Sequence, residues 1–211
     1  MTAAIVLAAG HADRMGSNKL LLPLGSGTVV GQVVVTALAA CDRVVVVIGL
    51  HDQETRTAVE RAALEAGARE RTEVVEAAIY DPGMFISVQA GLRHVAGADV
   101  VLIFPGDIPL VLPQTACAVL DAIVHGPADI AVPGFGARKG HPLAIAARHV
   151  PELLGMSEHA TLREFMARHP ATTIVVPVED PGMLLDMDTP EDYEAVRRRF
   201  DYAGTSTKEV R

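Results

Sequence analysis

Three short runs, Ala3–Ala8, Val44–Leu50 and Asp99–Phe104, are apolar almost throughout, and stretches of helical spacing separate them. A strand with one wet face alternates apolar and polar residues. A continuous apolar run instead marks a strand covered on both faces. Between these runs, Thr28–Ala40 places Val29, Val30, Val33, Val34, Ala37 and Leu38 at helical spacing, Gln53–Ala66 reads as a surface helix, and Phe85–Val95 carries Phe85, Val88, Leu92 and Val95 on one side. Strands alternating with helices predict an α/β chain with a mostly parallel, doubly wound central sheet.

The same pattern continues to the end of the chain. Strands are expected at Thr72–Ala77, Ile130–Val132, Leu143–Ala146 and Thr173–Val178. Helices are expected from Pro113 to about Val124, near Ala147–Leu154, over Thr161–Arg168 and from Pro190 to Phe200. The segment "PGFGARKGHP" reads as a polar loop. A chain of 211 residues suits a single domain over residues 1–200, followed by a frayed polar tail over 201–211. Half of the residues are hydrophobic but only 4% are aromatic, so the core is aliphatic.

A net charge of −8 without a basic patch argues against nucleic acid as a partner. No apolar run is long enough to span a bilayer, and the first strand starts without a basic leader. Cys41 and Cys117 lie far apart in apolar surroundings and read as reduced, packed thiols, so a soluble cytoplasmic protein is expected. The eight histidines show no pair four residues apart and no His/Cys cluster, which points away from a zinc site.

The first strand leads into "LAAGHADRMGSNKLLLPLG", residues 7–25. Gly10 and Gly16 are costly to order. Turning backbone N–H groups form an anion-binding concavity, Arg14 adds a fork of donors, and Lys19 adds a compact positive charge. A triphosphate fits this set, and so does an ordinary tight turn with a solvated Arg and Lys. The spacing is neither that of the P-loop nor that of the dinucleotide fingerprint. Asp107 follows the third apolar strand in "PGDIPLV", and Asp188 lies in "DMDTPEDY". The two acids suit one Mg²⁺, which takes one or two carboxylates plus phosphate oxygens and water. Each has a plainer role open to it. Asp107 suits a turn, and Asp188 or Thr189 suits a cap for a helix opening at Pro190, with Asp186 then the second ligand. Ser87 and Gly91 share a helix face that serves either close packing or nucleotide contact, and His141 either lines a ligand site or sits in a solvated loop.

The opening loop resembles the L-A-A-G-x-x-x-R-M-G-x-x-K signature of nucleotidyltransferases with a Rossmann-like three-layer fold, the nucleotide-diphospho-sugar transferase-like architecture. "KLLLPLG", "GMFISVQAGL", "PGDIPLV", "RKGHPLAI" and "DMDTPEDY" follow in order and resemble the molybdenum cofactor cytidylyltransferase-like branch. The resemblance implies Mg²⁺-dependent transfer of CMP from CTP to the terminal phosphate of molybdopterin, with release of pyrophosphate. It implies nucleotide contacts from Leu7, Ala8, Ala9, Gly10, Arg14, Met15, Gly16, Lys19, Ser87, Gly91 and Asp107. Arg14, Lys19 and Asp107 would be catalytic, Asp107 and Asp188 metal ligands, and Arg138, Lys139, Gly140, His141 and Pro142 the acceptor side. Related guanylyltransferases carry Gly-Gly in place of Ala9-Gly10 and Asp in place of Asn18, which favours CTP over GTP. Ala77 stands where family members often carry Asn. A molybdenum hydroxylase is the client such a product implies. GTP as donor, a sugar or polyol phosphate as acceptor, and a non-catalytic cofactor carrier are the competing expectations.

Overall fold

The computed structural model describes residues 1–10, 18–77 and 84–206. In chain order the strands and helices are β1 (Thr2–Ala8), β2 (Pro23–Leu24), β3 (Gly27–Thr28), α1 (Val29–Ala40), β4 (Arg43–Ile48), α2 (Gln53–Glu65), β5 (Thr72–Glu76), α3 (Met84–Leu92) and β6 (Val100–Pro105). They continue with α4 (Pro113–Val124), β7 (Ile130–Phe135), β8 (Arg138–Lys139), β9 (Leu143–Ala146), α5 (Val150–Gly155), α6 (Leu162–Arg168), β10 (Thr173–Pro177) and α7 (Pro190–Ser206).

The main sheet has the order β10-β7-β9-β6-β1-β4-β5, with β8 paired to β7. β1 runs parallel to both β4 and β6, β4 is parallel to β5, and β7 is parallel to β10. β9 alone in the main path is reversed, antiparallel to β6 and to β7. The three-layer, mostly parallel α/β fold is therefore present. The core explains the apolar runs. Ala4, Val6 and Ala8 of β1 face α1 and α4, while Ala3, Ile5 and Leu7 face α3, α5 and α6. Both faces are dry, so no alternation survives.

Local signals set several boundaries. Thr28 caps α1 by accepting a hydrogen bond from the Gly31 amide at 3.2 Å, and Pro113 opens α4 at a position where no backbone donor is needed. Cys41 is buried, and burial pushes its thiol pKa up to about 12, which leaves it an inert packed thiol. Two departures from the sequence expectations are informative. "PGFGARKGHP" is partly a hairpin, because Gly134 and Phe135 pair with Lys139 and Arg138, with Gly136 at φ 59° in the turn. α7 does not end at Phe200 but continues to Ser206 within the expected tail, since each added residue extends a ladder already nucleated. No helix among the described residues is long and apolar enough to cross a membrane.

Gly91 of α3 is explained by packing. A Cβ there would lie 2.5 Å from Ile5 Cγ2 and 3.1 Å from Val47 Cγ2, so the missing side chain lets α3 close onto β1 and β4. This face looks into the sheet, and Ser87 one turn earlier is buried with it. In an exposed helix Gly→Ala adds about 1 kcal/mol of stability, but overpacking a core removes about 1–3 kcal/mol. Gly91→Ala is therefore expected to destabilise the protein by about 1–2 kcal/mol in urea unfolding, and a gain in stability would show that α3 does not need this close approach.

Candidate functional site

Lys19, Asp107 and Asp188 meet at the carboxyl end of the central strands. Lys19 Nζ donates to Asp107 Oδ2 at 2.7 Å and to Asp188 Oδ1 at 2.9 Å. β1 connects to β4 on one side and pairs with β6 on the other, so the group sits near a topological switch point, where ligands bind in sheets of this kind.

Each of the three is held by a local device. Lys19 opens a single 3₁₀ turn, Lys19–Leu21, whose cap is Asn18. The Asn18 Oδ1 accepts from the Leu20 amide at 3.1 Å, and its Nδ2 donates to Thr55 Oγ1 at 3.1 Å, beside the Asp52 cap of α2. Asp107 is set by Gly106, whose amide donates to the Leu7 carbonyl at 2.9 Å. A Cβ on Gly106 would come within 2.7 Å of that oxygen, so only glycine lets the chain turn this close to β1. Asp188 is set by its neighbour Met187, which is fully buried beside Leu24, Val29 and Val196.

The helix cap at α7 also assigns the roles in "DMDTPEDY". The Asp192 amide donates to Thr189 Oγ1 at 3.2 Å, and Asp192 Oδ2 accepts from the Thr189 amide at 2.9 Å. Thr189 is thus the cap, and its hydroxyl and amide hold the Asp192 carboxyl below its ordinary pKa. Asp188 is left to face Lys19, and Asp186 makes no hydrogen bond to that lysine.

Sequence reasoning missed the bolt behind these loops. Buried Asp180 accepts from the Leu112 amide at 2.9 Å, from Thr115 Oγ1 at 2.7 Å and from the Gly182 amide at 3.0 Å. It therefore caps α4 from a distant part of the chain. A Cβ on Gly182 would lie 2.2 Å from Leu110 O, and one on Gly140 would lie 2.8 Å from Met183. The two glycines let the turn Pro181–Leu184 slot between the segment carrying Asp107 and the segment carrying His141. The only local signal was the D-P-G turn itself, which does not reveal its partners.

Electrostatics favour a cation at this point. Burial lowers the Lys19 pKa, but hydrogen bonds and charges from Asp107 and Asp188 outweigh it and shift it above the ordinary 10.5. Two carboxylate oxygens converge on one cationic atom, so the donor set also suits Mg²⁺, with its remaining positions left to phosphate and water.

The residues expected on the acceptor side divide. Lys139, Gly140 and His141 line a cleft of about 880 Å³, together with Phe85 and Val88 of α3 and residues from α6. Arg138 is exposed on the hairpin and does not line this cleft, whereas Pro142 is buried. His141 Nδ1 is buried without a hydrogen-bond partner among the described residues. Burial lowers the His141 pKa, opposed by the charges of Asp107 and Asp186, so the ring is neutral near pH 7. Of the expected nucleotide contacts, Leu7 and Ala8 are packed inside the sheet, Ala9 is half-buried, and Gly10 is exposed at its end. Arg14, Met15 and Gly16 lie outside the described residues.

Residues 4–173 match the family model for the MobA-like NTP transferase domain. Over 207 residues the chain is 31% identical to the purine catabolism protein PucB of Bacillus subtilis, covering 92% of this chain and 95% of that protein. Over 199 residues it is 25% identical to the molybdenum cofactor cytidylyltransferase of Escherichia coli, covering 93% and 95%. A solved nucleotidyl transferase from Methanothermobacter superposes with a TM-score of 0.79 at 28% identity, covering 96% of this chain and 99% of that one.

The raised Lys19 pKa gives a pH test. Stability from a group whose pKa is raised on folding is fully present below its unfolded pKa and is lost as pH rises through the folded value. The gap in unfolding midpoint between wild type and Lys19→Met should hold steady up to the ordinary lysine value near 10.5 and shrink above it. A gap unchanged at the alkaline end would show that Lys19 is not held by the two carboxylates.

Proposed function

Because the chain belongs to the family of MobA-like NTP transferase domains, we propose that it transfers CMP from CTP to the terminal phosphate of a molybdopterin-type acceptor and releases pyrophosphate. The observation that carries this proposal is the meeting of Lys19, Asp107 and Asp188 at the end of β1 and β6. The similarity to a cytidylyltransferase supports the choice of base, as do Ala9 and Asn18 in the opening loop.

Lys19 binds the triphosphate as a compact charge, joined by Arg14, whose role rests on the sequence alone. Asp107 and Asp188 would hold Mg²⁺, which when bound neutralises charge developing on the α-phosphate and pyrophosphate. The Lys19 ammonium bridges the two carboxylates and so holds two like charges together. The cleft beside Lys139 and His141 takes the acceptor. Lys139 offers a charge to its phosphate, and His141 lines the same cleft.

An acceptor phosphate is already ionised near pH 7, so the reaction needs no general base. The work falls to positioning and electrostatics. Asp180 and Gly182 serve that end by bolting the turn before Asp188 to the segment after Asp107, and Gly140 by letting the same turn close against the His141 segment.

The test is pyrophosphate release with Mg²⁺, each of the four ribonucleoside triphosphates in turn, and molybdopterin. Release with CTP that depends on the acceptor is the expected result. Release with GTP instead would overturn the base, and binding without release would overturn catalysis in favour of a carrier. Asp107→Ala should lower the rate by about 10²-fold or more while leaving the circular dichroism spectrum unchanged. Full activity in that variant would remove Asp107 from the site.

A further inference from the structure

The fold builds a second polar cluster at the opposite end of the sheet. β9 runs against its neighbours, so the residues after it return to the end where β7 and β10 begin. There His149, in the turn Ala147–His149, and Glu152, in the first turn of α5, meet His169, which follows α6. His169 Nε2 is 2.7 Å from Glu152 Oε2, and His149 Nδ1 is 3.7 Å from the same oxygen. One ligand atom from each residue lies within 4.8 Å of the other two.

We propose that His149, Glu152 and His169 form a binding site for a borderline divalent cation, of which Zn²⁺ is the type. Two imidazoles and one carboxylate are donors for zinc rather than for magnesium, and three protein ligands leave one position for water. This set is separate from the Asp107 and Asp188 pair and was not legible in the spacing of the histidines.

Three further observations support it. The other nitrogen of His149, Nε2, lies 3.2 Å from Oδ2 of buried Asp129. Metal-bound histidines usually carry such a carboxylate on the far nitrogen, because it fixes the ring and its tautomer. Phe165, fully buried, packs its ring 5.5 Å from His149 and 4.9 Å from His169, centroid to centroid, so both imidazoles are held before any ion binds. The two imidazole rings lie 4.5 Å apart, centroid to centroid, so they converge without a rearrangement of the chain. Arg148 reaches Asp129, and Arg168 lies 3.8 Å from Glu152 Oε1. Both arginine side chains are more than half exposed, so both have room to swing away.

An ion at this point would tie α5 to the base of β10 and so steady α6, which forms one wall of the cleft. The test uses EDTA-stripped protein carrying Asp107→Asn and Asp188→Asn, which removes the carboxylate pair and leaves this cluster as the one group of three convergent metal-ligating side chains among the described residues. Zn²⁺ is expected to bind with a stoichiometry of one in calorimetry and to raise the thermal unfolding temperature, whereas Mg²⁺ at the same concentration should do neither. His169→Gln and Glu152→Gln should each abolish the zinc-dependent rise while unfolding at the background temperature without metal. Asp129→Asn should weaken binding about 10- to 100-fold. No zinc binding in the background protein, or equal binding with and without His169, would overturn the site and leave an ordinary His–Glu–His charge network.

Discussion

β1 is hydrogen-bonded on both sides and covered on both faces, and its last carbonyls decide where the Lys19, Asp107 and Asp188 group sits. The Leu7 oxygen accepts from Gly106 across the β1–β6 seam, and the gap is too narrow for any side chain at Gly106. Asp107 therefore leaves β6 in one direction only. Lys19 enters the same space after a capped turn pinned to α2. The rigid strand defines the point, and the two loops only have to arrive at it.

At that point two acids are held together by one ammonium. Like charges so close are unfavourable without a cation between them. The same unfavourable term is what the proposed divalent ion would relieve. The fold supplies the stiffness such a pair needs from groups outside the pair. Asp180 joins α4 to the turn at Gly182, Met187 anchors the acidic stretch in an apolar cluster, and Thr189 with Asp192 closes the last helix.

The opposite end of the sheet is built by the one reversed strand. β9 brings His149 to the start of β7 and β10, where a parallel strand would have carried it to the Lys19 end. One sheet thus carries a carboxylate pair bridged by a lysine at one end and a nitrogen-rich cluster at the other. The donor chemistry separates the two even though both are small groups of partly buried polar side chains.

The sequence alone determined the local structure: the doubly buried strands, the helix over Thr28–Ala40, the Pro113 helix start and the set of charged residues able to do phosphate chemistry. Those features depend on unbroken apolar runs, on a period of three to four residues and on single-residue backbone preferences, all of which are written locally. It also narrowed the cap in "DMDTPEDY" to a few candidates, but only the hydrogen bonds of Thr189 and Asp192 chose among them. The tertiary structure alone decided the direction of β9, the packing role of Gly91, the reach of Asp180 and the grouping of His149 with His169. Lys19 meets partners 88 and 169 residues away. Such contacts follow from which layers cover one another, and a chain's local preferences carry no record of that.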